Sequence, residues 1–407
     1  MDSRRGSGCA QHPMTIAAIV FFAVVLSAWV ALHWWVGRRQ IHRGRAYSQA
    51  TRRVIWAGLA VLAVVPLLGL VGRRVGVVPE LGLMQWVAFV LMGVSTLLIS
   101  FTLAVELSRL VVEASARLRR REGVERPRSS ERRQFFADIA NFGIVGGAAG
   151  LSAVGFAAAR RVPEVVEIDV PIADLHPDLE GLRIVQLSDV HVGPTIRGEW
   201  LDKVVDVVNT LDADLVALTG DFVDGEVGVL SPELAALGRI EARHGSFFVT
   251  GNHEYYWDGP AWCSAIAGIG PTVLLNEHRC IEHGRARLLV AGVTDLGAGG
   301  RVPAHASDPA KAKANAPAHD LSLLLAHQPR SVYAAAEAGY DLQLSGHTHA
   351  GQYFPMSVLI HLLQPYVSGL NRHGAMQIYV SRGTGYWGPP NRAGSPSEIT
   401  RLTLRRA

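Results

Sequence analysis

The chain has 407 residues, 49% hydrophobic and 18% charged, with 42 glycines and a formal net charge of +4. It is too apolar for a disordered chain and for an ordinary soluble globule, so membrane segments are expected. Three cysteines (Cys9, Cys263, Cys280) without a C-x-x-C pair exclude a dense disulfide framework and a cysteine-zinc site, which leaves histidine and carboxylate for any metal chemistry.

The net charge hides a division. Residues 1–162 hold 21 arginines against 8 acidic residues, net +13, whereas residues 163–407 hold 18 basic against 27 acidic residues, net −9. An acidic larger part is a poor general partner for nucleic acid. Thirteen of the 16 histidines lie in that same acidic part.

Four stretches lack any charged side chain: Met14 to Val36, Val54 to Gly72, Leu81 to Val105 and Ile139 to Ala159. About 20 apolar residues in a helix cross the hydrocarbon layer, and only a helix satisfies its own backbone there, so residues 1–162 read as a membrane domain with four transmembrane helices. The fourth, rich in Gly and Ala and carrying Asn141, is the weaker hydropathy signal. The link from Gly37 to Arg53 holds six arginines and the link from Glu106 to Gln134 nine, against only Arg73 and Arg74 between the second and third stretches. Both basic links are therefore expected in the cytoplasm, with everything after Ala159 on the extracytoplasmic side. Arg4, Arg5, Arg160 and Arg161 run against that count. Glu131-Arg132-Arg133-Gln134-Phe135-Phe136 resembles a twin-arginine export signal placed internally, which agrees with it. In an oxidising compartment Cys263 and Cys280 could pair, although spacing alone does not establish it.

Beyond Pro163 the pattern changes to short β-type runs separated by turns and helical spacers, an α/β pattern. Five runs each end on a metal-type side chain. Ile184 to Ser188 leads into Asp189, Leu215 to Gly220 into Asp221, Phe247 to Gly251 into Asn252, Leu321 to Ala326 into His327, and Leu342 to Gly346 into His347. The C-terminal ends of strands are where sites assemble in such sheets. Gly220, Gly251 and Gly346 sit just before the ligand-type residue, where a missing side chain lets the backbone turn sharply.

The candidate ligands are Asp189, His191, Asp221, Asn252, His327, His347 and His349, with His253 close by. A lone D-x-H arises by chance, and a lone histidine is more often a surface or core residue than a ligand. The ordered combination of D-x-H, G-D, G-N-H-E, a strand-ending His and G-H-T-H is a different matter. Oxygen and imidazole donors without thiolate suit divalent Mn, Fe, Zn, Ni or Co. Seven ligands exceed the needs of one tetrahedral ion, and with Asp221 bridging they divide into two sets, for a pair of ions about 3.5–4 Å apart.

These motifs, Ser188-Asp189-Val190-His191, Thr219-Gly220-Asp221, Gly251-Asn252-His253-Glu254, Ala326-His327 and Gly346-His347-Thr348-His349, resemble the motif series of calcineurin-like metallophosphoesterases, most of all the membrane-anchored bacterial branch. The resemblance covers roughly residues 165–404. It implies an α/β fold of two mixed β-sheets packed as a sandwich and flanked by helices over residues 163–407. It also implies that Asp189, His191 and His349 hold one ion, that Asn252, His327 and His347 hold the other, and that Asp221 bridges. His253 would be the non-ligand histidine that protonates the leaving oxygen or pairs with the phosphoryl group. The implied reaction is hydrolysis of a phosphate mono- or diester by a metal-bridging hydroxide, at a bacterial cytoplasmic membrane, with a lipid-linked or other envelope ester as candidate substrate. The alternative is a membrane-tethered sensor or assembly factor that binds a phosphorylated ligand without turnover, and His253 favours catalysis over it.

Other positions carry less. Asp295 ends a further β-run, with a supporting or turn role expected. Glu254 is a candidate for orienting the Asn252-His253 loop, or is simply exposed. Arg382, Arg392 and the loop Gly383 to Gly388 are candidate substrate contacts. The Ala-, Gly- and Pro-rich stretch Gly297 to Asp320 reads as a mobile loop. Gln352 to Ala375 is more apolar than a solvated loop, either a short buried helix or a membrane-facing lip.

Overall fold

A computed structural model describes residues 16–43, 47–79, 81–120 and 130–407. Four long helices come first: α1 (Ile16–His42), α2 (Gln49–Arg74), α3 (Leu83–Arg120) and α4 (Ser130–Ala159). Among the described residues, three helical stretches are long and apolar enough to cross a membrane: Gln49–Arg73, Leu83–Leu118 and Gln134–Ala159. The first expected span begins outside the described residues and is helical from Ile16. Arg4, Arg5, Cys9, Arg45, Arg121, Arg126 and Arg128 also lie outside them. Apolar side chains such as Val24, Val64, Val111 and Val145 face outward from the helices, as lipid-facing residues do.

By packing, the chain divides into two units, residues 1–65 with 101–145, and residues 66–100 with 146–407. Within the first, Glu106 pairs with Arg39 at 3.1 Å and with Arg43 at 3.3 Å. Asn141 Nδ2 donates to the Gln40 carbonyl at 3.4 Å. Within the second unit, Arg160 lies over the Trp86 ring at 4.9 Å and donates to the Thr195 carbonyl at 2.9 Å.

After α4 the described strands are β1 (Glu164–Ile172), β2 (Arg183–Leu187), β3 (Leu215–Leu218), β4 (Ser246–Phe248), β5 (Thr272–Val273), β6 (Glu277–His283), β7 (Ala286–Gly292), β8 (Leu321–Leu325), β9 (Leu342–Ser345), β10 (Gly369–His373), β11 (Met376–Val380) and β12 (Glu398–Arg406). They form two six-stranded sheets, ordered β1-β12-β2-β3-β4-β5 and β10-β11-β9-β8-β7-β6. Both are mixed: β2, β3, β4 and β5 run parallel while β12 is antiparallel to β2. In the second sheet β7, β8, β9 and β11 run parallel, with β6 and β10 antiparallel at the edges. This is the two-sheet arrangement expected from the motifs.

Successive strand residues point to opposite faces. Ile184, Leu215 and Ala217 of the first sheet share one core with Leu288, Val290, Leu323 and Leu342 of the second. Their neighbours Val185, Leu187, Val216 and Leu218 pack on the other side with Val204, Val205 and Val208 of α5 (Gly198–Asn209). The central strands are covered on both faces, which is why they read as continuous apolar runs.

The stretch expected to be a mobile loop is instead built. It contains two short turns and the helix Pro309–Lys313, whose first turn is capped by Asp308 through the Lys311 N–H at 2.9 Å. Asn276 Nδ2 and the Tyr340 hydroxyl donate to its Ala306 and Pro309 carbonyls. Composition misread it because small residues there serve close packing. Cys263 and Cys280 are both free thiols, so the contemplated pairing is absent.

Candidate metal centre

The parallel strands β2, β3, β4, β8 and β9 end on the segments singled out in the sequence, three from one sheet and two from the other. The strands end there, although backbone hydrogen bonds still tie the turns together, Asp189 N–H to the Gly220 carbonyl at 3.0 Å and His191 N–H to the Asp221 carbonyl at 3.1 Å. Asp189, His191, Asp221, His347 and His349 all adopt left-handed backbone, with φ of 54°, 55°, 57°, 71° and 49°. Side-chain-bearing residues seldom take this conformation, and such strain concentrates at functional sites. Gly220 does so too, at φ +84°, and a Cβ on it would stand 2.4 Å from the Gly251 nitrogen. Gly346 is needed for a different reason: its Cβ would fall 2.1 Å from Asp189 Oδ2.

Three groups of potential ligand atoms converge, each with its atoms within 4.8 Å of one another: Asp189, His191 and His349; His191, Asp221 and His253; and Asp221, His327 and His347. The first and third overlap the two expected ligand sets, and Asp221 faces both sides. His349 Nε2 lies 3.3 Å from Asp189 Oδ1 and 3.1 Å from His191 Nε2. His327 Nε2 lies 3.1 Å from Asp221 Oδ2 and 3.3 Å from His347 Nδ1. The other His327 nitrogen, Nδ1, donates to the Thr219 carbonyl at 2.8 Å, which leaves Nε2 as the free donor atom.

The residues fit divalent ions. Asn252 Oδ1 is buried without a hydrogen-bond partner while its Nδ2 donates to the Tyr256 hydroxyl at 3.1 Å, so the amide is held with its oxygen unsatisfied. A buried orphan acceptor costs free energy that a cation would return. The donor set is oxygen and imidazole only, as hard-to-borderline ions require.

Asp224 was missed in the sequence. It follows Asp221 by one short turn, and its Oδ1 meets His253 Nδ1 at 2.5 Å while its Oδ2 lies 3.3 Å from His191 Nδ1. An acidic residue close behind a candidate ligand was the available signal. Burial raises the Asp224 carboxyl, but His191 and His253 outweigh it and hold it well below the usual range. For His253, burial lowers the imidazole while Asp221 and Asp224 outweigh it and raise it to about 9. Its Nε2 sits 3.9 Å from Asp221 Oδ2, and the half-exposed Trp387 stands edge-on at 5.5 Å between ring centroids.

Glu254 is fully buried and accepts from the backbone N–H groups of Gly251 at 2.6 Å, Phe222 at 2.7 Å and Asp221 at 3.1 Å. It therefore orients both the Asp221 and the Asn252 turns, the first of the two expected roles. Asp295 takes the turn role, accepting from the Gly297 N–H and from Gln328 Nε2 at 2.8 Å each. The two arginines, candidate substrate contacts by sequence, are engaged by groups of the protein itself. Arg392 is 1% exposed and donates to the carbonyls of Gly385, Arg382 and His349, and Arg382 pairs with Glu398 at 2.5 Å. Both fasten the loops behind the site, which a position near the chain end did not disclose. A cleft of about 320 Å³ opens over the centre, lined by Asn252, His347, Tyr256, Arg301, Gln328 and Asp295.

The sequence profile of the calcineurin-like phosphoesterases matches residues 182–351. A transmembrane protein with metallophosphoesterase domain from Danio rerio is 39% identical over 265 residues, 63% of this chain and 61% of that protein, so the chain spans about three-fifths of that relative's length. An uncharacterized metallophosphoesterase of Helicobacter pylori strain J99 is 38% identical over 252 residues, 61% of this chain and 66% of that protein. A further one from Aquifex aeolicus is 31% identical over 227 residues, 55% of this chain and 85% of that protein. With the strand-end carboxylates and imidazoles already converging on one edge of two mixed sheets, the chain belongs to the calcineurin-like metallophosphoesterase family.

Proposed function

We propose that the chain is a membrane-tethered phosphoesterase, working with two divalent ions on a phosphate mono- or diester. The observation that carries this is the convergence of Asp189, His191, Asp221, His327, His347 and His349 from distant strand ends, with the Asn252 oxygen left unsatisfied beside them. In this reading Asp189, His191 and His349 would hold one ion, Asn252, His327 and His347 the other, and Asp221 would serve both. Bound divalent ions would neutralise the ester oxygens and supply hydroxide near neutral pH. His253, with Nδ1 tied to Asp224, keeps Nε2 aimed toward Asp221 and so toward the ester, where it gives a proton to the leaving oxygen. Glu254 and the Thr219 carbonyl hold the Asp221 turn and the His327 ring in place.

We assign residues 1–162 to a membrane domain and residues 163–407 to the phosphoesterase domain. The arginine-rich links support an orientation with that domain on the extracytoplasmic side, in what we take to be a bacterial cytoplasmic membrane.

The test uses the full chain in detergent, stripped and reloaded with Mn or Zn, assayed on p-nitrophenyl phosphate and bis-p-nitrophenyl phosphate. His253→Ala should keep its metal and lose turnover by about 10²–10⁴-fold, and Asp221→Ala should lose both ions and all turnover. Turnover persisting in metal-free Asp221→Ala would overturn the reading. Two bound ions with neither ester hydrolysed would favour the sensor alternative.

A further inference from the structure

The helix Met356–Leu363 stands close behind the His347-Thr348-His349 turn and is apolar around most of its circumference, with Ser357 and His361, four residues apart, forming one narrow polar stripe. A helix this apolar normally buries most of its surface. Here only Ile360 is buried, while Met356, Val358, Leu359, Leu362 and Leu363 are exposed, Leu362 at 82%. Tyr353, which leads into the helix, approaches Thr96 of α3, inside the candidate membrane span Leu83–Leu118. The neighbouring Gly388 and Pro389 also approach α3, with Met92 and Phe89 3.7 and 3.9 Å from where a Gly388 Cβ would stand, and Pro389 3.1 Å from where a Gly93 Cβ would stand. Trp387, beside them, reaches His253. An apolar wall thus connects a membrane-type helix with the metal centre.

Against this helix lies a groove of about 540 Å³, lined by Leu296, Tyr333, Leu362, Leu363 and Arg330 among others. It adjoins the cleft over the metal centre: Leu296 sits between Asp295 and Gly297 of the cleft, and Arg330 follows closely on Gln328. In the lining of that cleft Arg301 lies over the Tyr256 ring at 4.7 Å, a cation available to an ester's remaining charge.

We infer that the substrate is a phosphate ester of a bilayer lipid, with its phosphate in the cleft, an acyl chain along the groove, and the helix Met356–Leu363 dipping into the membrane as the lip over which the lipid passes. This rests on the phosphoesterase reading above. The P–O bond to one ester oxygen breaks, water gives its hydroxyl to phosphorus and its proton to the leaving oxygen, and no oxidant or other co-reactant is needed.

The test uses the full, metal-loaded chain with monomeric dibutyryl, dihexanoyl and dioctanoyl forms of phosphatidic acid and of phosphatidylglycerol, beside the two p-nitrophenyl esters. For one headgroup, kcat/KM should rise at least about 10-fold from dibutyryl to dioctanoyl, since each buried methylene favours binding about fourfold. Leu362→Gln with Leu363→Gln, and separately Leu296→Gln on the opposite wall, should flatten that rise to less than about threefold. A flat series in the unaltered chain, or the same slope in both variants, overturns the lipid inference while p-nitrophenyl ester hydrolysis leaves the phosphoesterase reading standing. If the metal-loaded chain hydrolyses none of these esters, both fall.

Discussion

Gly346→Ala isolates what the close approach of β9 to β2 does for the centre. A Cβ at this position would stand 2.1 Å from Asp189 Oδ2 and 1.9 Å from Ser188 Oγ, both fully buried. Ordinary contact needs roughly 3.3 Å, so about 1 Å of movement must be found in a close-packed interior. The Ser188 side chain and the Asp189 carboxylate are both in the way, and the His347 N–H already holds both carboxylate oxygens at 3.0 Å. Ligand distances tolerate about 0.2 Å, so the shift misplaces Asp189 and drags His347 with it. Even disturbing groups that only support metal ligands typically costs 10–100-fold in metal affinity, and displacing a ligand should cost at least about that. The assay is metal content after dialysis against graded chelator, read per ion by mass spectrometry, with turnover of p-nitrophenyl phosphate alongside. Gly374→Ala is the control: its φ is +60° and nothing lies within 4 Å of its Cβ, so it bears only the left-handed backbone penalty of about 1–2 kcal/mol. Gly346→Ala retaining two ions at unaltered affinity, with turnover within about twofold, would refute the reasoning.

Asp224→Asn removes the charge that holds His253 and His191, so turnover should fall about 10²-fold with two ions still bound, read as kcat against metal content. Glu254→Gln turns one acceptor oxygen into a donor facing a backbone N–H, a loss of about 1–3 kcal/mol that thermal unfolding and weakened metal retention should both register. For orientation, a reporter that is active only outside the cytoplasm, fused after Ala407, should be active. An active cytoplasmic reporter at the same place would reverse the assignment made from the arginine-rich links.

The order of the candidate ligands was legible because it is a local property. Strands buried on both faces leave apolar runs such as Leu215 to Leu218, and a residue leaving such a strand is written next to it, so Asp189, Asp221, Asn252, His327 and His347 could be found in order. The basic links around the apolar helices were equally local. What lay beyond the sequence depends on which distant turns meet. Asp224 gains its role only because His253 is folded over it, and Glu254 because the Asp221 turn lies beside its own. Arg392 read as a candidate substrate contact, yet tertiary packing buries it among carbonyls. Residues 297–320 looked loose by composition, and long-range hydrogen bonds from Asn276 and Tyr340 make them a built wall of the cleft. The helix Met356–Leu363 was plainly apolar in sequence, but only the fold sets it exposed beside α3 and open to the metal centre. The sequence by itself determined which strand ends carry carboxylate and imidazole, since periodicity and adjacency are written along the chain. Tertiary structure alone decided which of those groups share a proton, a turn or a cleft, because such contacts are made through space between segments that sequence keeps far apart.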